Sequence, residues 1–177
     1  MTLLCARYGV LALLASVPLS ACSPTFDWRE ARFEGSTLLA MFPCRPDHQE
    51  RPIELAGRRT TMQMNACPAG GATFAISVVD LGDPALTVPA QLQLRTVAVA
   101  NVKGDAPQAV PWRLAGTTPN SETTRFSIRG RLPDGAAVVE HAAFFTQGLK
   151  VYQASVIGAV PNPEALETFF AGLKFVP

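Results

Sequence analysis

Sulfur and imidazole side chains lie close in sequence to two cysteines, Cys44 and Cys67. His48 follows Cys44 by four residues, and Met62 and Met64 precede Cys67. Soft sulfur ligands together with imidazole suit copper. Alternate methionines on a strand share one face, where they are more often part of the core than metal ligands. A copper site at His48, Met62 and Met64 is therefore the alternative to a plain disulfide, since oxidised cysteines offer no thiolate.

Three arginines alternate with apolar residues in the clearest predicted strand, residues 123–132. Phe126 and Ile128 would face one side of a sheet, and Arg125, Arg129 and Arg131 the other. Such a row of guanidinium groups could meet anionic lipid headgroups, lipopolysaccharide or an acidic envelope protein. An ordinary solvated sheet face is the favoured interpretation of the same pattern.

Catalytic patterns are weak throughout the chain. A serine hydrolase would need one of two histidines, His48 or His141, and no Gly-x-Ser-x-Gly motif accompanies them. No Cys-x-x-Cys motif occurs, and Gly70-Gly71 precedes a predicted strand rather than a phosphate-binding helix. The acidic residues in the predicted domain show no spacing that selects a glycosidase pair: Asp80, Asp83, Asp134 and Glu140. We therefore expect a protein that is not an enzyme and has no cofactor.

Residues 1–21 have the order of a secretory signal. Arg7 supplies a positive charge, residues 8–19 form an uncharged run rich in leucine and alanine, and small residues precede Cys22. The run is short for a membrane span, which needs about 20 residues. The tetrad Leu19-Ser20-Ala21-Cys22 resembles the lipobox of bacterial lipoproteins.

The lipobox resemblance implies that the signal is removed before Cys22 and that this cysteine carries the acyl chains. Two or more acyl chains anchor a protein stably, whereas one does so only marginally. Ser23 resembles the signal that sorts such lipoproteins to the outer membrane. We therefore expect a linker over residues 22–36 and a domain over residues 37–177, anchored in the cell envelope and facing the periplasm.

Signal cleavage and lipidation would leave two other cysteines in the exported domain. Cys5 departs with the signal and Cys22 takes the lipid, so Cys44 and Cys67 are expected to form a disulfide in an oxidising compartment. The bond would join the end of a first strand, residues 38–43, to the end of a second, residues 59–66. Closing a loop of this length stabilises a fold by about 3 kcal/mol.

The remaining pattern predicts strands, a helix, more strands and a final helix. Strand signals cover residues 72–80, 123–132, 136–146 and 150–158, with a short edge strand at 108–114 interrupted by Pro111. Pro43, Pro46 and Pro52 are expected to keep the stretch after the first strand extended and irregular, and residues 54–66 could form one or two strands around Gly57. Helices are predicted over residues 90–102 and from Asn162 to about Leu173. This order indicates an α+β fold: an antiparallel β-sheet with a central helix and a C-terminal helix packed on it.

The first strand ends Ala-Met-Phe-Pro, and the final helix ends Phe-Phe-Ala-Gly-Leu-Lys-Phe. With the central helix and the late meander, these features resemble small proteobacterial lipoproteins of PsbP/Mog1-like fold, over residues 38–175. The resemblance implies an assembly factor or binding module. The paired cysteines depart from the general pattern of that fold.

Charge excludes one further class of partner. The chain has 15 basic and 14 acidic side chains, and loss of Arg7 with the signal would leave them equal. A neutral domain has no general attraction for nucleic acid. The expected partners are the membrane, through the lipid, and an envelope protein or anionic lipid.

Overall fold

The computed structural model describes residues 24–105 and 107–177, so the predictions for residues 1–21 and Cys22 fall outside the described part. Within these described residues, ten strands and two α-helices follow one another. The strands are β1 Arg29–Arg32, β2 Leu38–Phe42, β3 Asp47–Leu55, β4 Arg58–Ala69, β5 Ala72–Asp80, β6 Gln108–Pro111, β7 Thr124–Arg131, β8 Ala137–Gln147, β9 Lys150–Gly158 and β10 Lys174–Phe175; the helices are α1 Thr87–Asn101 and α2 Pro163–Ala171.

Seven strands form one antiparallel sheet in the order β3-β4-β5-β9-β8-β7-β6. The predicted meander is present as β7, β8 and β9, and β5 pairs with β9 on its other side. The predicted edge strand is β6, which ends at Pro111. The α+β prediction is therefore confirmed.

The N-terminal part of the chain is more regular than the sequence predicts. Residues 47–55, expected to be irregular, form strand β3 despite Pro52. Proline is tolerated there because β3 lies at the sheet edge and pairs only with β4. Residues 29–32, placed in the linker by the sequence, form β1, which joins β2 and β10 in a second, three-stranded sheet.

Helix α1 and the sheet face beneath it form one core made mainly of aliphatic side chains, together with Phe126 and Phe144. Leu94 and Ala98 of the helix are buried in the same cluster as Val79, Val151 and other strand residues. The buried Gln91 side chain adds a polar link, because its Nε2 donates to the carbonyl oxygens of Glu122 and Phe144. This surface of the large sheet is called the α1 face below.

The opposite surface, called the α2 face, is covered by α2 and by the small sheet. Asn162 caps α2 by accepting a hydrogen bond from the Ala165 amide, and Pro163 follows it, as predicted. The face is rich in interlocked aromatic rings: Phe169 contacts Phe42, Phe74 and Phe170 with centroid separations of 5.3–5.6 Å. The two faces are therefore covered by different elements and packed with different side chains.

Candidate functional site

An apolar cleft of about 600 Å³ opens at one end of the large sheet. Two turns form its walls: the β4–β5 turn and the β7–β8 turn. The end of β9 forms its floor. The lining residues are Pro68, Ala69, Gly70, Gly71, Ala72, Thr73, Leu132, Ala136, Ala137, Val138, Ile157, Gly158 and Ala159. Its volume lies in the usual range for small-molecule sites.

Small residues create this cleft because their short side chains leave the space between the two turns unfilled. Gly70 and Gly71 have φ of +57° and +75°, so the β4–β5 turn uses backbone conformations that favour glycine. At Gly158 a Cβ would stand 2.8 Å from the carbonyl oxygen of Gly71. A larger residue at position 158 would therefore push β9 away from β5 at the cleft floor.

A buried acid lies beside the cleft on the α1 face. Glu140 is only 6% exposed, and the sheet register sets it opposite Ile128 on β7 and Ile157 on β9. Burial raises the pKa of the Glu140 carboxyl from its ordinary 4.5 to about 7. Ile157 also lines the cleft, so a group that takes up a proton near neutral pH adjoins the cleft floor.

The segment before β1 is docked at the same end of the sheet. The ring of Phe26 lies over Gly70, where a Cβ would be 2.6 Å from the Phe26 Cζ. The Asp27 amide donates to the Pro43 carbonyl at 2.8 Å, and Trp28 packs edge-on against Phe74. Residues 26–28, which the sequence placed in a linker, are therefore fixed to the domain next to the cleft, and Trp28 packs on the domain.

The disulfide predicted between Cys44 and Cys67 is present. Its Cα atoms lie 6.0 Å apart, and it links the residues after β2 to strand β4. The Cys44 Sγ lies 3.5 Å from the carbonyl oxygen of Pro68, which lines the cleft. The bond therefore braces the wall that carries Gly70 and Gly71.

The residues of the alternative copper set do not share a surface. Register pairs His48 with Asn65, and the His48 Nδ1 lies 2.8 Å from the Asn65 Oδ1. Met62 and Met64 alternate with Asn65 on β4, so their side chains point to the opposite face. The expectation that His48, Met62 and Met64 meet on one surface is therefore wrong. Within residues 24–105 and 107–177, no group of three His, Cys, Asp or Glu side chains could hold a metal ion.

The alternation of the arginine strand is as predicted, but its arginines differ in what they contact. Phe126 and Ile128 are buried on the α1 face. Arg125 points the other way, makes a two-point ion pair with Glu167 of α2, and stacks 4.1 Å above the Phe170 ring. Its side chain is only 16% exposed. Arg125 therefore has its partners within the domain, whereas Arg129 and Arg131 are exposed, so the possible anionic-partner face stays a prediction for those two residues.

His141 has a serine partner that the sequence did not reveal. Its Nδ1 lies 2.7 Å from the Ser127 Oγ across the β7–β8 pair. Burial, and next the charge of Arg125, lower the pKa of His141, while Glu167 opposes them. Ser127 is exposed on a strand that is paired on both sides at that position. The backbone amides of β7 at this position are hydrogen-bonded within the sheet, so they supply no oxyanion donor of the kind acyl transfer needs.

Sequence reasoning missed the cleft and the environment of Glu140. The available signal was the density of small residues in three separate segments, 68–72, 135–137 and 158–159. Those segments are far apart along the chain, and only strand pairing brings them together. Glu140 was visible as one acid among several, and its burial depends on both neighbouring strands.

Comparison of the sequence with protein-family models and with curated proteins finds no match. Neither helix within the described residues has the length and apolar character required to cross a bilayer. The features that bear on function are the cleft, the docked segment before β1 and the sequence motifs.

Proposed function

We propose that the chain is a lipid-anchored protein of the bacterial cell envelope that acts as a non-enzymatic binding or assembly module. One observation carries this proposal: the apolar cleft lies at the end of the domain where residue 26 is docked, four residues after the proposed lipid-bearing Cys22. A binding surface near a membrane anchor suits a module that contacts another envelope component.

The proposed address has support from two independent features. The signal pattern and the lipobox tetrad are encoded in residues 1–22. The Cys44–Cys67 disulfide is a bond that persists in oxidising compartments and is rare where thiols are kept reduced. Both features agree with export across the inner membrane.

The chemistry of the cleft favours binding over catalysis. Among the described residues that line it, Thr73 has the only polar side chain, and none of the lining side chains titrates. General acid–base catalysis needs a titratable group within hydrogen-bond reach of the reacting atoms. The hydrogen-bonded Ser127–His141 pair is not part of this cleft, so the two features do not combine into one active site.

The mass of the intact protein extracted from membranes tests the proposal. We expect the mass of residues 22–177 plus acyl chains, less two hydrogens for the disulfide. The Cys22→Ser variant is the matched control, and it should yield no acylated species. A full-length chain, or a processed chain without acyl groups, would overturn the lipoprotein proposal.

A further inference from the structure

We propose that the cleft holds an acyl chain of a membrane phospholipid, and that the docked segment before β1 turns the cleft toward the bilayer. This inference rests on the proposed anchor at Cys22. It goes further by naming the ligand class, the binding surface and the orientation of the domain on the membrane.

The reach of the chain places the cleft close to the bilayer. Phe26 is held on Gly70, and Asp27 is held by the Pro43 carbonyl. Phe26 is four positions after Cys22, so a fully extended chain between their Cα atoms spans at most about 14 Å. An acylated Cys22 at the membrane surface therefore keeps Phe26 within that distance of the lipids, and the β4–β5 turn, which forms one cleft wall, contacts the Phe26 ring.

The lining matches a hydrocarbon chain. Alanine, glycine, valine, leucine, isoleucine and proline supply all of the lining residues except Thr73. A hydrocarbon chain has no polar group to satisfy, so its transfer into such a cleft leaves no unpaired donor or acceptor. A peptide strand would bring its own backbone amides and carbonyls, which this lining does not match.

An arginine on the β7–β8 turn, which forms one cleft wall, suits the phosphate of the same lipid. The Arg131 Nη1 donates to the Gly135 carbonyl oxygen at 3.0 Å, which holds the guanidinium on the β7–β8 turn. A guanidinium has five N–H donors, and this bond engages one of them. The Asp134 carboxylate in the same turn accepts from the Ala136 amide at 2.9 Å. Arg131 can therefore contact a phosphodiester while the turn remains capped.

Photolabelling of the acylated protein tests the inference. The full mature protein, extracted with its anchor, is placed in phosphatidylethanolamine–phosphatidylglycerol vesicles that contain a phospholipid with a diazirine on its acyl chain. We expect adducts, mapped by peptide mass spectrometry, within residues 68–73, 132–138 and 157–159. Adducts that map elsewhere on the domain would overturn the inference.

Two alanine variants control for general membrane contact. Ala137→Trp fills the cleft from an exposed strand position, whereas Ala109→Trp makes the same change at an exposed position on edge strand β6. Excluding about two methylene groups from the cleft should lower labelling about tenfold. We expect this drop for Ala137→Trp and unchanged labelling for Ala109→Trp, in proteins of equal melting temperature. Equal labelling of the two variants would contradict the inference.

Two further outcomes separate this inference from the proposed function. An acylated protein whose cleft is not labelled would overturn the inference and leave the lipoprotein proposal standing. A diazirine fatty acid incorporated into the anchor itself, if it labelled the cleft while the added phospholipid did not, would identify the protein's own lipid as the occupant and overturn the inference too. Absence of acylation is read from the intact mass, before any labelling.

Discussion

The two faces of the large sheet are built in different ways. The α2 face is closed by aromatic rings, with Phe169 at the centre of three ring contacts. The α1 face is mainly aliphatic, contains the buried Glu140, and leaves Ile157 only partly buried beside the cleft. A buried acid costs stability and an open cleft leaves apolar area unburied. We therefore expect the α2 face to contribute more to stability, and the proposed binding cleft adjoins the α1 face.

The largest expected effect comes from the centre of the α2 face. Phe169→Ala should lower the free energy of unfolding by about 4 kcal/mol, because it removes a fully buried ring and leaves a cavity. Phe126→Ala on the α1 face is the matched change. Phe126 stacks on one ring, Phe144, so its cost should be about 1 kcal/mol smaller. Urea unfolding at pH 7 measures both, and a larger cost for Phe126 would reverse the comparison.

Removal of the disulfide should have the next largest effect. The Cys44→Ala/Cys67→Ala double variant should lose about 3 kcal/mol, since the loop between the cysteines gains freedom in the unfolded chain. Unfolding of the variant, compared with the wild type in its oxidised and reduced forms, gives the value. Equal stability of all three proteins would show that this bond does not stabilise the fold.

Substitution of Glu140 should raise the stability of the protein, whereas the two changes above lower it. Its folded-state pKa of about 7 lies above the ordinary 4.5, so the folded state binds the proton more tightly and loses stability as pH rises from 4.5 to about 7. The loss corresponds to about 3 kcal/mol at pH 8. Glu140→Gln should therefore stabilise the protein at pH 8 and have little effect at pH 4. Thermal melts across this range measure it, and a variant less stable than wild type at pH 8 would contradict the burial argument.

The smallest effect is expected for the ion pair that joins β7 to α2. Glu167 is 68% exposed, so Glu167→Gln should cost at most about 1 kcal/mol at pH 7. The hydrogen bonds from Arg125 lower the pKa of Glu167, so the pair contributes above the ordinary carboxyl pKa and is lost as pH falls below it. Glu54→Gln, at an exposed edge-strand position, is the control. A cost that persisted at pH 2 would show that packing rather than charge is responsible.

Local signals explain which parts of the fold could be predicted. The strands of the meander follow from alternation between tight turns, and α2 follows from Asn162 with Pro163, because each signal acts within a few residues. Strand β3 was missed because Pro52, and Pro43 and Pro46 before it, disfavour a paired strand. Pro52 is acceptable only because β3 has an unpaired side, and that edge position is a property of the whole sheet.

The candidate site was less predictable than the fold. The alternation of Arg125 with Phe126 and Ile128 was readable from the sequence, but the Glu167 and Phe170 partners of Arg125 come from a helix about 40 residues later. The three segments that line the cleft are likewise separated along the chain. No periodicity along the chain reports such neighbours.

The sequence by itself determined the proposed address, the pairing of Cys44 with Cys67 and the order of the late strands, because motifs, residue counts and alternation are encoded locally. The tertiary structure alone decided that His48 lies on the other face of the sheet from Met62 and Met64. It also decided that Arg125 is paired within the domain and that Glu140 is buried beside an apolar cleft. The physical reason is strand register: it sets which distant residues are neighbours, and those neighbours fix burial, charge and the shape of the cleft.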